Sequence, residues 1–438
     1  MSPAIAAFRP PLSRHRAFLP YAGLPRLLAG TGPVHDLADH LRLHGPLPVA
    51  GDPAAIIDEV AAAGLTGRGG AAFPAARKLA AVRAAGRGDA VVVANGAEGE
   101  PASRKDVTLL WHAPHLVLDG LQVAARACDA ATAILYVHGG RPDLHRLLQQ
   151  VIRARRVAGT DRLAVELIAA PPRFLAGEES ALVAHVNGRA AVPGFKQHRV
   201  FERGVGRRPT LVQNVETLAH LGLIARHGAA WFRSLGTADE PGSMLCTVLD
   251  ADGSSRVAEA AIGTPLGRLT RLDDRVQAVL VGGYHGGWIS ISQARELTLS
   301  NPDLKRAGAA AGAGVLAALP TDACGLAETA SAARYLALES AGQCGPCLNG
   351  LPAIATALAV VARPGTAGTQ LASLRRWAAV VTGRGACHHP DGTVRLVTSA
   401  LRVFEGEIAE HSNGRCTGTR ATPFLPIPAA AGTESDWR

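Results

Sequence analysis

Aromatic residues are scarce, at 4% of this 438-residue chain, and lysine is scarcer still. Of 45 basic residues only Lys78, Lys105, Lys196 and Lys305 are lysines. The 47% hydrophobic content is therefore mostly Ala, Val and Leu, which suits an α/β protein. Its size calls for several domains, each with its own core. Long apolar runs are missing: 307–319 and 351–362 are the longest, and both fall short of the roughly 18 residues of a membrane helix. A secretory pattern is missing too. Arg9, Arg14, Arg16 and Arg26 precede the first acid, Asp36, but Pro10, Pro11, Pro20 and Pro25 break any amphipathic transit helix, so a basic surface arm is expected. Seven cysteines without disulfide-like regularity fit a reducing compartment, and a cytoplasmic location is expected. The net charge is +9, yet no arginine-rich run or aromatic-interleaved basic stripe points to nucleic acid.

Where arginine is the default cation, a lysine marks a place that needs a compact ammonium. Lys78, Lys105 and Lys196 all fall inside motifs. The stretch Gly64-Leu-Thr-Gly-Arg-Gly-Gly-Ala-Ala-Phe-Pro74 is too glycine-dense for regular structure. Its 67–72 segment has the form G-x-G-x-x-A but follows no predicted strand, which argues against a Rossmann fingerprint. Glycine-rich backbone can still approach a phosphate, with Arg68 and Lys78 to balance its charge; a tight turn between helices is the plainer reading. A buried strand, Val91-Val92-Val93, runs into Asn95-Gly-Ala-Glu-Gly-Glu-Pro101. Further strands at Ile134–Val137 and Val165–Ala169 alternate with helices at about 114–128, 143–156, 178–186 and 214–226, which predicts a mostly parallel sheet. After about residue 240 the pattern changes to β-β-α-β, with strands at 244–249, 255–260 and 276–281. From 327 to about 411 the signal is helical.

Cys344 and Cys347 form a C-x-x-C pair within Glu339-Ser-Ala-Gly-Gln-Cys-Gly-Pro-Cys-Leu-Asn-Gly350, and Cys387 follows forty positions later. Three thiolates can hold an iron–sulfur cluster, or a zinc ion with help from a histidine such as His388 or His389. The segment resembles E-S-C-G-K-C-T-P-C-R-E-G of the NADH-binding flavoprotein subunit of respiratory complex I and its relatives in NAD-linked hydrogenases and formate dehydrogenases. Ala341 stands where that motif has its first cysteine. Cys324 is the only cysteine shortly upstream of the gap.

Other segments carry the same resemblance. The glycine loop is similar to G-L-R-G-R-G-G-A-G-F-P, which implies FMN binding by Gly67, Arg68, Gly69 and Lys78 and stacking of Phe73 on the nicotinamide nucleotide. Asn95–Pro101 resembles N-A-D-E-G-E-P, with Ala97 in place of the aspartate, and Lys105-Asp106 the K-D that follows. This implies that Asn95 contacts the flavin and that Glu98 and Glu100 line the catalytic flavin–NADH pocket. Gly177-Glu178-Glu179-Ser180 resembles G-E-E-T, with Phe174 at the usual tyrosine. The implied role of the acids is to face the adenine ribose, favouring NADH over NADPH; read alone they are first-turn acids favoured by a helix dipole. Lys196 matches a lysine near the nucleotide. Thr210–Thr217 resembles T-T-V-N-N-V-E-T, implying that Asn214 and Thr217 seat the flavin phosphate.

The resemblance spans roughly residues 35–412. It implies an α/β fold with a Rossmann-like FMN- and NADH-binding domain (51–238), a ubiquitin-like β-grasp domain (239–300), a linker (301–326) and a helical iron–sulfur domain (327–412). An N-terminal extension (1–50) and a loose tail (413–438) flank them. The implied activity is that of an NADH dehydrogenase module: hydride from NADH to FMN, then single electrons to a [4Fe–4S] or [3Fe–4S] cluster held by Cys344, Cys347 and Cys387. A basic redox protein of this kind would dock an acidic carrier, a ferredoxin or a thioredoxin-like iron–sulfur subunit, and a peripheral place on a membrane complex stays open. The alternatives are a catalytically decayed structural subunit and a zinc-stabilised binding protein.

Overall fold

The structure, a computed structural model, describes residues 23–30, 32–48, 52–195, 198–428 and 434–437. Lys196, Arg9, Arg14 and Arg16 lie outside these. Among the described residues the chain forms two sheets and a helical region. The first sheet comprises β1 (Ala90–Gly96), β2 (Ala130–His138), β3 (Val165–Ala170) and β4 (Thr210–Asn214), all parallel, in the order β3-β2-β1-β4. A strand with only apolar side chains needs cover on both faces. Accordingly Val92 and Ala94 join the core beneath helices Pro114–Ala127 and Val215–Phe232, while Val91 and Val93 pack with Leu182, Val205 and Val212. The two helices cross closely: a Cβ on Gly120 would sit 1.7 Å from the Leu218 carbonyl oxygen, so only glycine fits. From β1 the sheet grows to one side through β2 and β3, whereas β4 is added on the other side. The order of strands therefore reverses between β1 and β4, where crevices for ligands open at the carboxyl ends. Asn95 and Asn214 face each other in register at that edge.

The second sheet comprises β5 (Ser243–Leu249), β6 (Ser255–Ala261), β7 (Val276–Val281), β8 (Gly287–Ser290) and β9 (Val315–Pro320), in the order β6-β5-β9-β7-β8. The expected β-β-α-β pattern coincides with β5, β6, helix Leu266–Leu269 and β7. Residues 301–326, expected as a linker, contain helix Asn301–Arg306 and β9. β9 is fully buried in mid-sheet, parallel to β5 and antiparallel to β7. The apolar run that forms it was hidden behind a glycine-rich lead-in.

Helices Gly325–Leu338, Leu351–Val361, Ala367–Val381, His389–Val403 and Glu405–Ser412 pack against the face of this sheet that carries Trp288, Ala317 and Leu319. The described part of the tail, expected to be loose, is not. Phe424 and Leu425 are buried, and their N–H groups donate to the Glu328 carboxylate at 2.7 and 2.9 Å. Nor do the described N-terminal residues form a surface arm. Leu27 is fully buried, the Arg26 N–H donates to Glu259 Oε2 (2.7 Å), and His40 in helix Leu37–His44 meets Asp119 at 2.7 Å. Among the described residues no helix is long and apolar enough to cross a membrane.

Candidate active site and thiol cluster

The crevice between β1 and β4 collects the glycine loop and two asparagines. Asn214 caps helix Val215–Phe232 by accepting from Glu216 N–H (3.0 Å), and its amide donates to Asp106 Oδ2 (2.7 Å). A Cβ on Gly69 would meet Asn214 Cβ at 3.2 Å, so glycine lets the loop close onto the strand end. Asn95 donates to the Gly177 carbonyl (2.8 Å), drawing the segment after β3 over the same edge; there a Cβ on Gly177 would come within 2.6 Å of the Ala97 carbonyl oxygen. Thr217 Oγ1 accepts the Arg68 N–H at 2.8 Å. Backbone-rich segments gathered at the ends of parallel strands suit a flat, phosphate-bearing ligand.

Beneath the crevice lies a buried charge network. Lys105 Nζ donates to Asp106 Oδ1 (2.7 Å), Glu216 Oε2 (2.9 Å) and Asn214 Oδ1 (3.4 Å). Burial alone would lower the Lys105 pKa, but the two carboxylates raise it above its usual value. Glu216, fully buried, also accepts the Leu245 N–H (2.8 Å), tying β5 to the first domain; burial raises its pKa against the pull of Lys105.

The acids assigned to the catalytic pocket are held by backbone. Glu98 accepts from Asp106 N–H (3.1 Å) and Val107 N–H (3.2 Å) at the start of helix Lys105–His112, and burial, with Asp106 nearby, raises its pKa. Glu100 accepts from Ala102 N–H (3.1 Å) and Tyr284 N–H (2.8 Å), the latter from the turn after β7, and burial lifts its pKa to about 7.

Other assigned residues stand differently from expectation. The Arg68 guanidinium is committed to the Ser243, Thr66 and Pro241 carbonyls and the Thr66 hydroxyl, so it braces the loop and its charge is spent inside the protein. Lys78 donates to the Val212 carbonyl (2.8 Å) and pairs with Glu179 (2.7 Å), joining two residues assigned to different parts of the cofactors. Glu178 caps helix Glu179–Val186, accepting from Ser180 N–H (2.8 Å) and Ala181 N–H (3.1 Å). Phe73 is about half exposed, beneath the Arg77 guanidinium, and Gly67 N–H donates back to the Phe73 carbonyl. The Phe174 ring is packed among His285 (4.8 Å between centroids), His389 (5.7 Å) and Tyr335 (6.1 Å), at the junction with the helical region.

At that junction the Phe174 N–H donates to Glu339 Oε2 (2.9 Å), and Arg173 pairs with the same carboxylate at 3.2 Å. Glu339 opens the segment that carries Cys344 and Cys347. These two thiols and Cys387 are buried within each other's influence, Cys344 and Cys347 in an apolar cluster with Leu351, Ala337 and Ala386. Cys347 sits on a π-helical turn, Pro346–Gly350; burial pushes its thiol up to about 12, opposed by a hydrogen bond to Ser340. Thiols gathered in an apolar setting become good ligands when a metal replaces their protons. The donor set fits three corners of an iron–sulfur cluster. The histidines expected as further ligands are turned elsewhere. His388 is almost wholly exposed beside Asp391, and both nitrogens of His389 are engaged, with His285 and the Leu336 carbonyl. Cys324 is placed with His411, away from this group.

The sequence matches the Nuo51 FMN-binding domain over residues 60–222 and the NADH-ubiquinone oxidoreductase-F iron-sulfur binding region over residues 327–411. It is 27% identical over 395 residues to the F subunit of NADH-quinone oxidoreductase from Streptomyces coelicolor, covering 86% of each chain. It is 28% identical over 380 residues to the F 2 subunit of the same enzyme from Rhizobium meliloti, covering 83% of this chain and 90% of the other. The crystal structure of an NAD+-reducing [NiFe]-hydrogenase in the air-oxidized state aligns over 90% of this chain and 70% of its own, with a TM-score of 0.77 at 28% identity. The chain belongs to the NADH-binding flavoprotein subunits of the complex I type. In this flavoprotein the glycine loop, Asn95 and Asn214 lie within the matched FMN-binding region, and all three clustered cysteines lie within the matched iron–sulfur region. Sequence reasoning missed Glu216, Arg173 and Glu339 as site-building groups. The signal for Glu216 was there: a lone acid in the first turn of an apolar helix, inside the Thr210–Thr217 motif.

Proposed function

We propose that this chain oxidises NADH in the crevice between β1 and β4 and delivers electrons to a cluster held by Cys344, Cys347 and Cys387. When bound, FMN supplies hydride acceptance from NADH and one-electron release to an iron–sulfur cluster. The protein's share is orientation and electrostatics. Gly67 and Gly69 give the loop the backbone approach that a phosphate needs, and Asn95, Asn214 and Thr217 fix the strand ends around it. Glu98 and Glu100 are held rigidly by N–H groups, so the pocket wall does not rearrange during transfer. Glu179, paired with Lys78, is the acid we assign to the adenine ribose, because Glu178 is occupied as a cap. The observation that carries the reading is the Phe174–Glu339 hydrogen bond: the segment over the crevice is anchored on the thiol-bearing loop. Electrons then leave to an acidic iron–sulfur carrier or partner subunit, and we place the protein in the cytoplasm.

The test is anaerobic purification followed by NADH titration. Flavin absorbance with a broad shoulder near about 400 nm, bleached by NADH, is expected. Protein that takes up no FMN on reconstitution, or holds flavin that NADH cannot reduce, would mark a decayed structural subunit instead. Electron transfer to acidic ferredoxins should slow as salt rises; a salt-independent rate would count against the basic docking surface.

A further inference from the structure

A second group of metal-ligating side chains lies outside the crevice and the thiol cluster. Cys324 is the N-cap of helix Gly325–Leu338. Glu407 and His411 stand four apart on helix Glu405–Ser412, hence on one face of it. Cys416 follows in the loop after that helix. One donor atom from each of the four lies within 4.8 Å of all the others. We propose that Cys324, Glu407, His411 and Cys416 form a zinc site that fastens the C-terminal segment to the helical region.

The geometry suits that ion. For Zn–S of about 2.3 Å and Zn–N of about 2.0–2.1 Å, a tetrahedral site has an S···N edge of about 3.5 Å. Cys324 Sγ and His411 Nε2 are 3.6 Å apart. Glu407 Oε1 is in direct contact with the same nitrogen at 2.9 Å, a pair that zinc would part by about 0.5 Å to reach the tetrahedral N···O edge. The surrounding groups prepare the donors. His411 is fully buried, and its Nδ1 faces the Val361 carbonyl at 3.3 Å, which can only accept, so a metal-bound ring would carry its proton there and present Nε2 as the ligand. The Ala327 N–H donates to Cys324 Sγ (3.4 Å), a hydrogen bond that a metal-bound thiolate would keep. Thr417 holds both oxygens of Glu407, through its N–H (3.0 Å) and its hydroxyl. Two thiolates, an imidazole and a carboxylate match a borderline-soft, four-coordinate ion better than calcium or magnesium, which take oxygen ligands. Zinc entry releases to solvent the two thiol protons and the proton between His411 Nε2 and Glu407, and involves no oxidation. The site is independent of the NADH reading, since none of its four ligands belongs to the crevice or to the Cys344, Cys347 and Cys387 group.

The experiment measures zinc and iron together in full-length protein purified anaerobically without chelator. Wild type should carry about one zinc per chain, and Cys416→Ser should fall below about 0.2 with iron unchanged. Cys416 is exposed, so its replacement leaves the core intact. Cys347→Ser should do the reverse, losing iron and keeping zinc. Cobalt added in place of zinc should give thiolate charge-transfer absorption that Cys416→Ser lacks. The proposal is overturned if wild type holds no zinc after reconstitution and desalting. It is equally overturned if zinc is lost with Cys347 rather than Cys416, or if Cys324 and Cys416 are found joined as a disulfide in the anaerobic protein.

Discussion

Replacing Lys105 by methionine removes one ammonium from beneath the crevice and keeps most of the side chain's volume. Its two carboxylate partners, Asp106 and Glu216, are 8% and 0% exposed, so water cannot take the ammonium's place. Breaking a buried ion pair by deleting one partner costs about 3–5 kcal/mol. The loss should depend on pH. Without the ammonium, Glu216 loses its nearest counter-charge while the burial that already raises its pKa remains, and the folded state then binds a proton that the unfolded chain releases near about pH 4.3. Folded protein gains relative to unfolded wherever it is the better proton binder. Hence the deficit of Lys105→Met should be largest at pH 7 and shrink as pH falls toward about 5. Urea unfolding followed by circular dichroism at both pH values reads it. Adding Glu216→Gln to Lys105→Met should restore roughly 2 kcal/mol, because the orphaned charge is gone. A loss under about 1 kcal/mol at pH 7, one unchanged at pH 5, or a double variant no better than the single would refute the network as described.

Glu178→Ala should cost about 0.5–2 kcal/mol as a lost cap and leave the NADH/NADPH preference in place, whereas Glu179→Gln should improve NADPH use; steady-state kinetics with both nucleotides decide. Glu100 has a folded pKa lifted to about 7, so its contribution to stability is full below the unfolded glutamate pKa and is lost as pH rises through 7; Glu100→Gln should flatten that slope in thermal melts. Ala341→Cys supplies the thiol that the motif lacks and should raise iron per chain and slow its loss in air, read by metal analysis and low-temperature electron paramagnetic resonance. Equal iron lability in both proteins would mean that another group already holds the fourth corner.

Much of this was legible in the chain because local signals agreed with one another. The triplet Val91–Val93 could only be an interior strand, and the polar residues just after it had to stand at the sheet edge. Three of the four lysines fell in motifs, and the two within the described residues, Lys78 and Lys105, are each bonded to carboxylates. What failed to show were choices made by distant parts of the fold. Nothing local says that Arg68 turns toward carbonyls 173 and 175 residues away, or that Glu178 caps its helix while Glu179 reaches Lys78. The strand Val315–Pro320 reads as a linker because its neighbours are glycines, and only the gap between β5 and β7 makes it a strand. The Cys324, His411 and Cys416 group is spread over more than ninety positions, so no spacing rule could reveal it.

The triangle of Arg173, Glu339 and Phe174 bears on how such a protein can be divided. A single carboxylate serves a buried guanidinium and a backbone N–H from the nucleotide half, while its own backbone leads into the thiol loop. Cutting the chain between the halves would strand an arginine on one fragment and an acid on the other, both about 3% exposed in the intact fold. Neither fragment could be exchanged for a foreign counterpart unless the newcomer brought the matching charge to the same spot. A chain split at this boundary would therefore leave each half dependent on docking with the other to cover these two charges.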